Sequence, residues 1–187
     1  MSTAILDIPE VRQRVHRLSV DQYERFVELG AYGKQHELIR GLVIKKMSKS
    51  PLHGSISKRL YDFFLMRVPP DFSVRQERPL RLVDSEPEPD VAIVRGTDAD
   101  YFDRQPTTAV LVVEGAISSA ALDRENAALY AEAGVEEFWI VLPREKQIDV
   151  YRRPEAGVYR DVQTIRDGAL ECSGLAGISV VLSELFR

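Results

Sequence analysis

Two acidic residues, Asp90 and Glu114, lie at the ends of neighbouring apolar segments and could together bind a divalent metal ion. Asp90 precedes Val91-Ala92-Ile93-Val94, and Glu114 closes Ala109-Val110-Leu111-Val112-Val113-Glu114. Short β-branched runs of this kind are typical of buried strands. If the two strands pair antiparallel, the start of the first lies beside the end of the second, and the two carboxylates face a common point. Mg²⁺ or Mn²⁺ would suit such oxygen ligands.

The same acids have a simpler interpretation, because a carboxylate at the end of a buried strand is often only its solvated boundary. Glu37 also begins a strand-like segment and could complete a metal shell if it reaches the same point. A metal held there would activate water and neutralise charge on a phosphodiester. A nearby lysine acting as general base would complete a hydrolytic site.

Length and composition predict one α/β domain over residues 1–187. The chain has 187 residues, of which 44% are apolar, enough for a hydrophobic core. The single Cys172 excludes an internal disulfide and suits a reducing cytosol. No stretch approaches membrane-spanning length, and the N-terminus lacks a signal-peptide pattern, so we expect a cytoplasmic protein.

The charge distribution is uneven. A net charge of −4 argues against a nucleic-acid binder that relies on overall positive charge. A local basic run nevertheless extends from residue 45 to residue 59 without an acid, comprising Lys45, Lys46, Lys49, Lys58 and Arg59. This run is either a solvated surface or a surface that contacts phosphates. His53 opens the helix beside it and is either an ordinary histidine or part of the same surface.

Periodicity predicts helices and strands that alternate along the chain. Helices are expected at 19–30, from 51 to the Pro69-Pro70 pair, and at 118–134. Two hairpins are expected, one at 36–47 that turns at Arg40-Gly41 and one at 137–151. Further strands are expected at 72–83, in the two acid-bearing segments, and at the periphery within 159–165 and 178–186. In the helix at 118–134 the inward stripe is Leu122, Leu129 and Ala133, with the polar Asn126 in the same stripe. Together these elements predict an α/β fold with a mixed central sheet flanked by helices.

Several enzyme classes are excluded by missing motifs. The chain has no G-x-S-x-G, no glycine-rich phosphate loop, no H-E-x-x-H and no Cys/His zinc spacing. Two carboxylates could serve glycoside hydrolysis, but long loops and aromatic clusters that would grip a sugar are lacking. Metal-assisted hydrolysis of phosphodiesters remains the chemistry that the acids fit best.

Several ordered motifs resemble one family. The segments Glu86–Gly96, Leu111–Glu114 and Leu129–Val141, with His36–Gly41 and Ser50–Gly54, are similar to the Uma family of restriction-endonuclease-like proteins. That family belongs to the PD-(D/E)xK nuclease superfamily. The likeness extends from about residue 19 to residue 151.

The resemblance implies a restriction-endonuclease-like core that cleaves DNA with Mg²⁺ or Mn²⁺. Asp90 corresponds to the metal-binding aspartate, Glu114 to the second acid and Glu37 to the acid of the first hairpin. Gln76 also stands where the family usually has glutamine. Lys45, Lys46, Lys49, His53 and Gln76 would then contact the DNA.

One expected residue is missing. The superfamily lysine normally follows the second acid by two residues, where this chain has Ala116. Related family members instead supply a lysine from the next helix, where this chain has Asn126, and Gly115 stands where the family tends to have valine.

The sequence therefore predicts a metal-dependent DNA endonuclease that lacks its expected catalytic lysine. The alternatives are a catalytically weakened or inactive nuclease-fold protein that acts as a nucleic-acid-binding or regulatory module, and an accessory protein whose fold serves only assembly. We also expect a homodimer, because exposed sheet edges and the apolar C-terminal segment invite pairing.

Overall fold

The computed structural model describes residues 8–46, 48–115 and 120–187. Its helices are α1 (Pro9–Arg12), α2 (Val20–Glu28), α3 (Pro51–Leu65), α4 (Ala120–Glu132) and α5 (Leu182–Leu185). Its strands are β1 (His36–Ile39), β2 (Leu42–Lys45), β3 (Phe72–Gln76), β4 (Val91–Arg95), β5 (Leu111–Gly115), β6 (Glu137–Leu142), β7 (Gln147–Glu155), β8 (Val158–Ile165), β9 (Ala169–Glu171) and β10 (Ser179–Val181).

A six-stranded mixed sheet forms the centre, in the order β3-β4-β5-β6-β7-β8. Strands β5 and β6 run parallel, and the other neighbouring pairs run antiparallel. A parallel pair needs a crossover connection, and α4 lies in the segment between β5 and β6. The predicted mixed sheet with flanking helices is confirmed.

The central strands are apolar on both sides because helices cover both faces of the sheet. On one face, α3 packs Ile56, Leu60 and Phe64 against side chains that include Trp139. On the other face, α4 packs Leu129, Tyr130 and its neighbours against side chains that include Phe138. The helix predicted to begin at residue 51 therefore buries one face against the sheet.

Local sequence signals fix the starts of two helices and one turn. Ser19 caps α2 through a reciprocal capping box with Gln22, and Ser50 caps α3 by accepting a hydrogen bond from the backbone N–H of His53. Arg40 and Gly41 both have positive φ, 53° and 74°, as the two central residues of a tight hairpin turn require. The predicted hairpin at 36–47 is confirmed over β1 and β2.

The strand predicted over 72–83 was too long. Strand β3 ends at Gln76, and Glu77 adopts a left-handed backbone conformation with φ of 50°. The chain then folds back, so that Leu80 N donates to Pro87 O at 3.0 Å. Leu80 and Leu82, beyond Gln76, lie in this loop and are buried in the hydrophobic cluster on the α4 face of the sheet.

The C-terminal apolar segment packs inside the chain's own core. Val180, Leu182 and Leu185 are buried in the cluster on the α3 face. Arg59 also donates hydrogen bonds from Nη1 to the backbone carbonyls of Leu185 (2.9 Å) and Arg187 (2.6 Å). Most of its apolar side chains are therefore covered within the chain, whereas Val181 is 37% exposed. Pairing of this segment with a second copy stays a prediction.

The helix predicted over 118–134 corresponds to α4, which is described from Ala120. Ser118 and Ala116 lie outside the described residues, as does the side chain of Leu122 in the predicted stripe. Leu129 is buried as predicted. Among the helices that the structure describes, none has the length and apolarity needed to cross a membrane.

Candidate functional site

Asp90 and Glu114 lie side by side at the ends of two central strands of the sheet. Strands β4 and β5 pair antiparallel with Val91 opposite Val113. This register places Asp90, the residue before β4, beside Glu114 near the end of β5. The backbone N of Asp90 lies 3.4 Å from Glu114 Oε2, at hydrogen-bonding distance. We call this pair of acids, with the groups that contact them, the acidic corner.

Asp90 is almost completely buried, with 3% of its surface exposed. Gly115 N donates to its Oδ2 at 2.7 Å, and Lys49 Nζ donates to its Oδ1 at 2.5 Å. His53 Nε2 lies 2.7 Å from Oδ2, although its N–H is not aligned well enough for a regular hydrogen bond. A buried carboxylate needs such partners, since an unpaired buried charge is costly.

These contacts determine the charge state of Asp90. Burial raises the pKa of Asp90, but the contact with His53 and the charge of Lys49 outweigh burial, so the pKa lies below its usual value. For Lys49, burial lowers the pKa, but Asp90 and then Glu77 outweigh it, so the pKa is raised. Both residues therefore carry charge at neutral pH.

Glu114 is held by α4, the helix on the face of the sheet opposite α3. Tyr130 of α4, which is completely buried, donates its hydroxyl to Glu114 Oε1 at 2.8 Å. Tyr130 was not among the predicted site residues. Tyr130 follows Asn126 by four residues on one helix face, and this spacing is the signal that could have identified it. Asn126 itself is buried, with 9% of its surface exposed.

The other predicted site residues lie in different elements and have contacts of their own. Gln76 is directly opposite Val91 in the β3–β4 pairing, and Val91 is the residue that follows Asp90 in the chain. Glu37 lies in β1, and its Oε2 is 3.5 Å from the backbone N of Glu88. Lys46 forms an ion pair with Glu88, and Lys45 is exposed at the end of β2.

The basic run does not form one continuous surface. Lys58 pairs with Asp62 on the exposed side of α3, with Nζ to Oδ1 at 2.5 Å, and Arg59 binds the C-terminal backbone. Only the part of the run before α3 approaches the acidic corner, through Lys49.

The donor set suits a divalent cation that keeps most of its water ligands. Within the residues that the structure describes, no three His, Cys, Asp or Glu side chains are grouped so as to hold a metal ion. Mg²⁺ needs only one or two carboxylates besides waters and substrate oxygens, and Asp90 and Glu114 fit that requirement. The role of Glu37 as a third ligand stays a prediction.

Another acidic residue, Glu86, is buried beside β1, where its backbone N donates to Leu38 O at 2.7 Å. It is 9% exposed, and within the described part of the chain its Oε2 has no hydrogen-bond partner. Burial raises its pKa to about 7, and Glu24 and Glu88 add to the rise while Arg81 opposes it. Burial, with the charges of Glu86, Glu88 and Glu37, also raises the pKa of Tyr23 to about 12. The acids around Tyr23 therefore create a local negative potential.

We expect Glu86→Gln to stabilise the protein at neutral pH but not in acid. The unfolded chain ionises Glu86 near its ordinary pKa of 4.5, whereas the folded protein holds the proton until about pH 7. Wild-type stability therefore falls as pH rises through this window. The variant should gain up to about 2 kcal/mol at pH 8, allowing for solvent screening, and almost nothing at pH 4. Urea unfolding at both pH values measures the difference.

Glu145→Gln, in an exposed turn, is the control and should change the unfolding free energy by less than about 0.5 kcal/mol at either pH. A gain for Glu86→Gln that is equal at pH 4 and pH 8 would contradict the account.

Gly115 allows the close packing around Asp90. A Cβ at this position would lie 3.2 Å from Asp90 Oδ2 and 3.5 Å from His53 Cε1. We expect Gly115→Ala to cost about 1–3 kcal/mol in unfolding free energy, because the buried carboxylate or the imidazole must move. The control is Gly54→Ala in α3, where nothing lies within 4 Å and alanine should instead stabilise the helix by about 0.5–1 kcal/mol. Equal effects of the two substitutions in urea unfolding would refute this interpretation.

Comparison with known proteins agrees with the architecture. A solved structure of a putative nuclease of the DUF820 family from Anabaena variabilis superposes with a TM-score of 0.77 at 16% sequence identity, covering 90% of this chain and 97% of that chain. At this identity the likeness supports the fold, which is restriction-endonuclease-like. A search of curated proteins by sequence finds no match. The model of the Uma2 family, described as "Putative restriction endonuclease", matches residues 20–183, and the chain therefore belongs to that family.

Proposed function

We propose that this protein is a divalent-metal-dependent endonuclease that hydrolyses phosphodiester bonds in DNA. The observation that carries the proposal is the convergence of Asp90 and Glu114 at the ends of two paired central strands, with Asp90 N 3.4 Å from Glu114 Oε2. Membership of a family of restriction endonucleases supports the nuclease class. Mg²⁺ or Mn²⁺ as the cofactor and DNA as the substrate belong to the proposal.

Asp90 and Glu114 would hold the cation, with Glu37 as a candidate third ligand. When bound, the cation supplies a polarised water and positive charge beside the phosphodiester. The chain orients the two carboxylates: Gly115 N–H fixes one oxygen of Asp90, and the Tyr130 hydroxyl fixes one oxygen of Glu114. Fixed partners of this kind normally contribute about 10–100-fold to metal affinity or activity.

Other residues would bind the DNA. Gln76 neighbours Asp90 through the β3–β4 pairing, and Lys45, Lys46, Lys49 and His53 belong to the segment that precedes and opens α3. Positive groups beside a metal site attract the phosphate backbone, and their contribution should weaken with added salt.

A cleavage assay tests the proposal. Purified protein is incubated with single- and double-stranded DNA in Mg²⁺, in Mn²⁺ and in EDTA, beside a Glu114→Gln variant that keeps the shape of the side chain and removes its charge. We expect wild-type cleavage in at least one metal, none in EDTA and strongly reduced cleavage by the variant. Equal cleavage by the two proteins would refute the proposed site.

The second candidate is a nucleic-acid-binding or regulatory module without cleavage. The buried, uncharged Asn126 favours it, because the family resemblance expects a lysine at that position. This candidate predicts DNA binding that weakens steeply with salt, with no product in any metal.

Homodimerisation stays a prediction. Strands β3 and β8 form the edges of the six-stranded sheet, and Val158 and Val162 on β8 are about half exposed, at 52% and 55%. Exposed edge strands can pair with another copy. Sedimentation of the purified protein measures whether they do.

A further inference from the structure

Lys49 lies on the solvent side of the acidic corner and bridges two acids. Its Nζ is 2.5 Å from Asp90 Oδ1 and 2.9 Å from Glu77 Oε1. The Lys49 side chain is 36% exposed, whereas that of Asp90 is 4% exposed. A molecule that approaches Asp90 from solvent therefore meets the ammonium group beside the carboxylate.

The position of Lys49 is set by the backbone around Glu77. Glu77 has a positive φ of 50°, which is uncommon for a residue with a side chain, and its N donates to Pro89 O at 3.2 Å. Because Pro89 directly precedes Asp90, this bond joins the backbone of Glu77 to the segment that carries Asp90. Lys49 Nζ contacts the carboxylates of both residues.

The neighbouring lysines are engaged elsewhere. Lys46 pairs with Glu88, and Lys58 pairs with Asp62 on the exposed side of α3. Asn126, on the opposite side of the sheet in α4, is buried and has no charge to contribute. Among these residues, Lys49 is the one whose ammonium group contacts an acid of the proposed metal site.

We propose that Lys49 is a catalytic residue that donates a hydrogen bond to a non-bridging oxygen of the scissile phosphate. This inference rests on the proposed nuclease function. In the reaction, a water oxygen forms a bond to phosphorus and one bridging P–O bond breaks; the attacking water loses its proton to solvent, and the leaving oxygen takes a proton from solvent. Lys49 stays protonated throughout. Its charge stabilises the additional negative charge on the phosphate in the transition state.

The experiment uses the full chain as wild type, Lys49→Met, Lys49→Arg and Lys58→Met. Lys58→Met is the matched control, because it removes a lysine that also pairs with an aspartate but lies away from the acidic corner. Two quantities are measured: the single-turnover cleavage rate on duplex DNA in Mn²⁺, and the affinity for Mn²⁺ by calorimetry without DNA.

We expect Lys49→Met to lower the cleavage rate by about 10²–10³-fold. Its Mn²⁺ affinity should be equal to or tighter than that of wild type, because Lys49 no longer competes with the cation for Asp90 Oδ1. Lys49→Arg should recover part of the rate, since it keeps a charged donor. Lys58→Met should match wild type in both measurements. Lys49→Gln replaces the methionine variant if circular dichroism finds that variant unfolded.

Two results would overturn the role of Lys49 while leaving the proposed function intact. One is metal-dependent cleavage by wild type together with a Lys49→Met cleavage rate that is within about threefold of the wild-type rate. The other is a parallel loss of cleavage and Mn²⁺ affinity in Lys49→Met, which would make Lys49 a structural support of Asp90. Absence of metal-dependent cleavage by the wild type would overturn both proposals.

Discussion

Replacing Asp90 by asparagine is expected to reduce metal-dependent DNA cleavage by at least about 10³-fold. Asp90 is the more deeply buried acid of the corner, and its lowered pKa keeps it ionised at neutral pH. Asparagine keeps the size of the side chain but removes the charge that would hold the cation. Loss of a single transition-state donor typically costs about 10²–10³ in rate, and loss of a metal ligand should cost more.

The asparagine variant is preferable to alanine because it can keep the local packing. Its amide oxygen can still accept the hydrogen bond that Gly115 N donates at 2.7 Å to Asp90 Oδ2 in the wild type. Thermal unfolding measured beside the cleavage rate separates chemistry from folding. A variant that is folded and cleaves at the wild-type rate would contradict the role of Asp90.

Replacing Glu137 by alanine is expected to destabilise the fold by about 3–5 kcal/mol. Glu137 is 1% exposed and accepts hydrogen bonds at both oxygens. Oε1 accepts from Trp139 Nε1 (2.7 Å) and from Arg152 Nε (2.9 Å), and Oε2 accepts from Ser173 N (2.7 Å) and Oγ (2.6 Å). Its removal leaves a cation and several donors without their acceptor.

The neighbouring residue provides the control. Glu136 pairs with Arg95 at 2.9 Å on the surface, where both side chains are more than 40% exposed. Glu136→Ala should therefore cost no more than about 1 kcal/mol. Urea unfolding of the two variants measures the difference, and equal costs would show that the buried network around Glu137 contributes little.

The sequence was sufficient to predict the features that depend on local patterns. The pairing of the Asp90 and Glu114 strands follows from two short apolar runs separated by a polar loop, and the structure confirms their antiparallel register. The hairpin turn at Arg40-Gly41 and the helix that begins after Ser50 follow from turn and capping preferences. Each of these signals lies within a few residues of the element it specifies.

The contacts around the acids could not be predicted in the same way, because they join residues distant in the chain. Lys49 and His53 contact Asp90 across about forty residues, and Tyr130 contacts Glu114 from a helix on the opposite face from α3. The end of β3 at Gln76 depends on the backbone conformation of Glu77, which the alternating sequence did not reveal. The C-terminal segment is apolar because it packs in the core, but the cluster on the α3 face that it joins could be identified only from the three-dimensional structure.

Calorimetric titration of Mn²⁺ into the purified protein tests the central claim most directly, because it does not depend on the DNA substrate. We expect wild type to bind Mn²⁺, and we expect Asp90→Asn and Glu114→Gln each to weaken the affinity by about 100-fold or more. Absence of Mn²⁺ binding by wild type, or wild-type affinity in both variants, would contradict a metal site at the acidic corner.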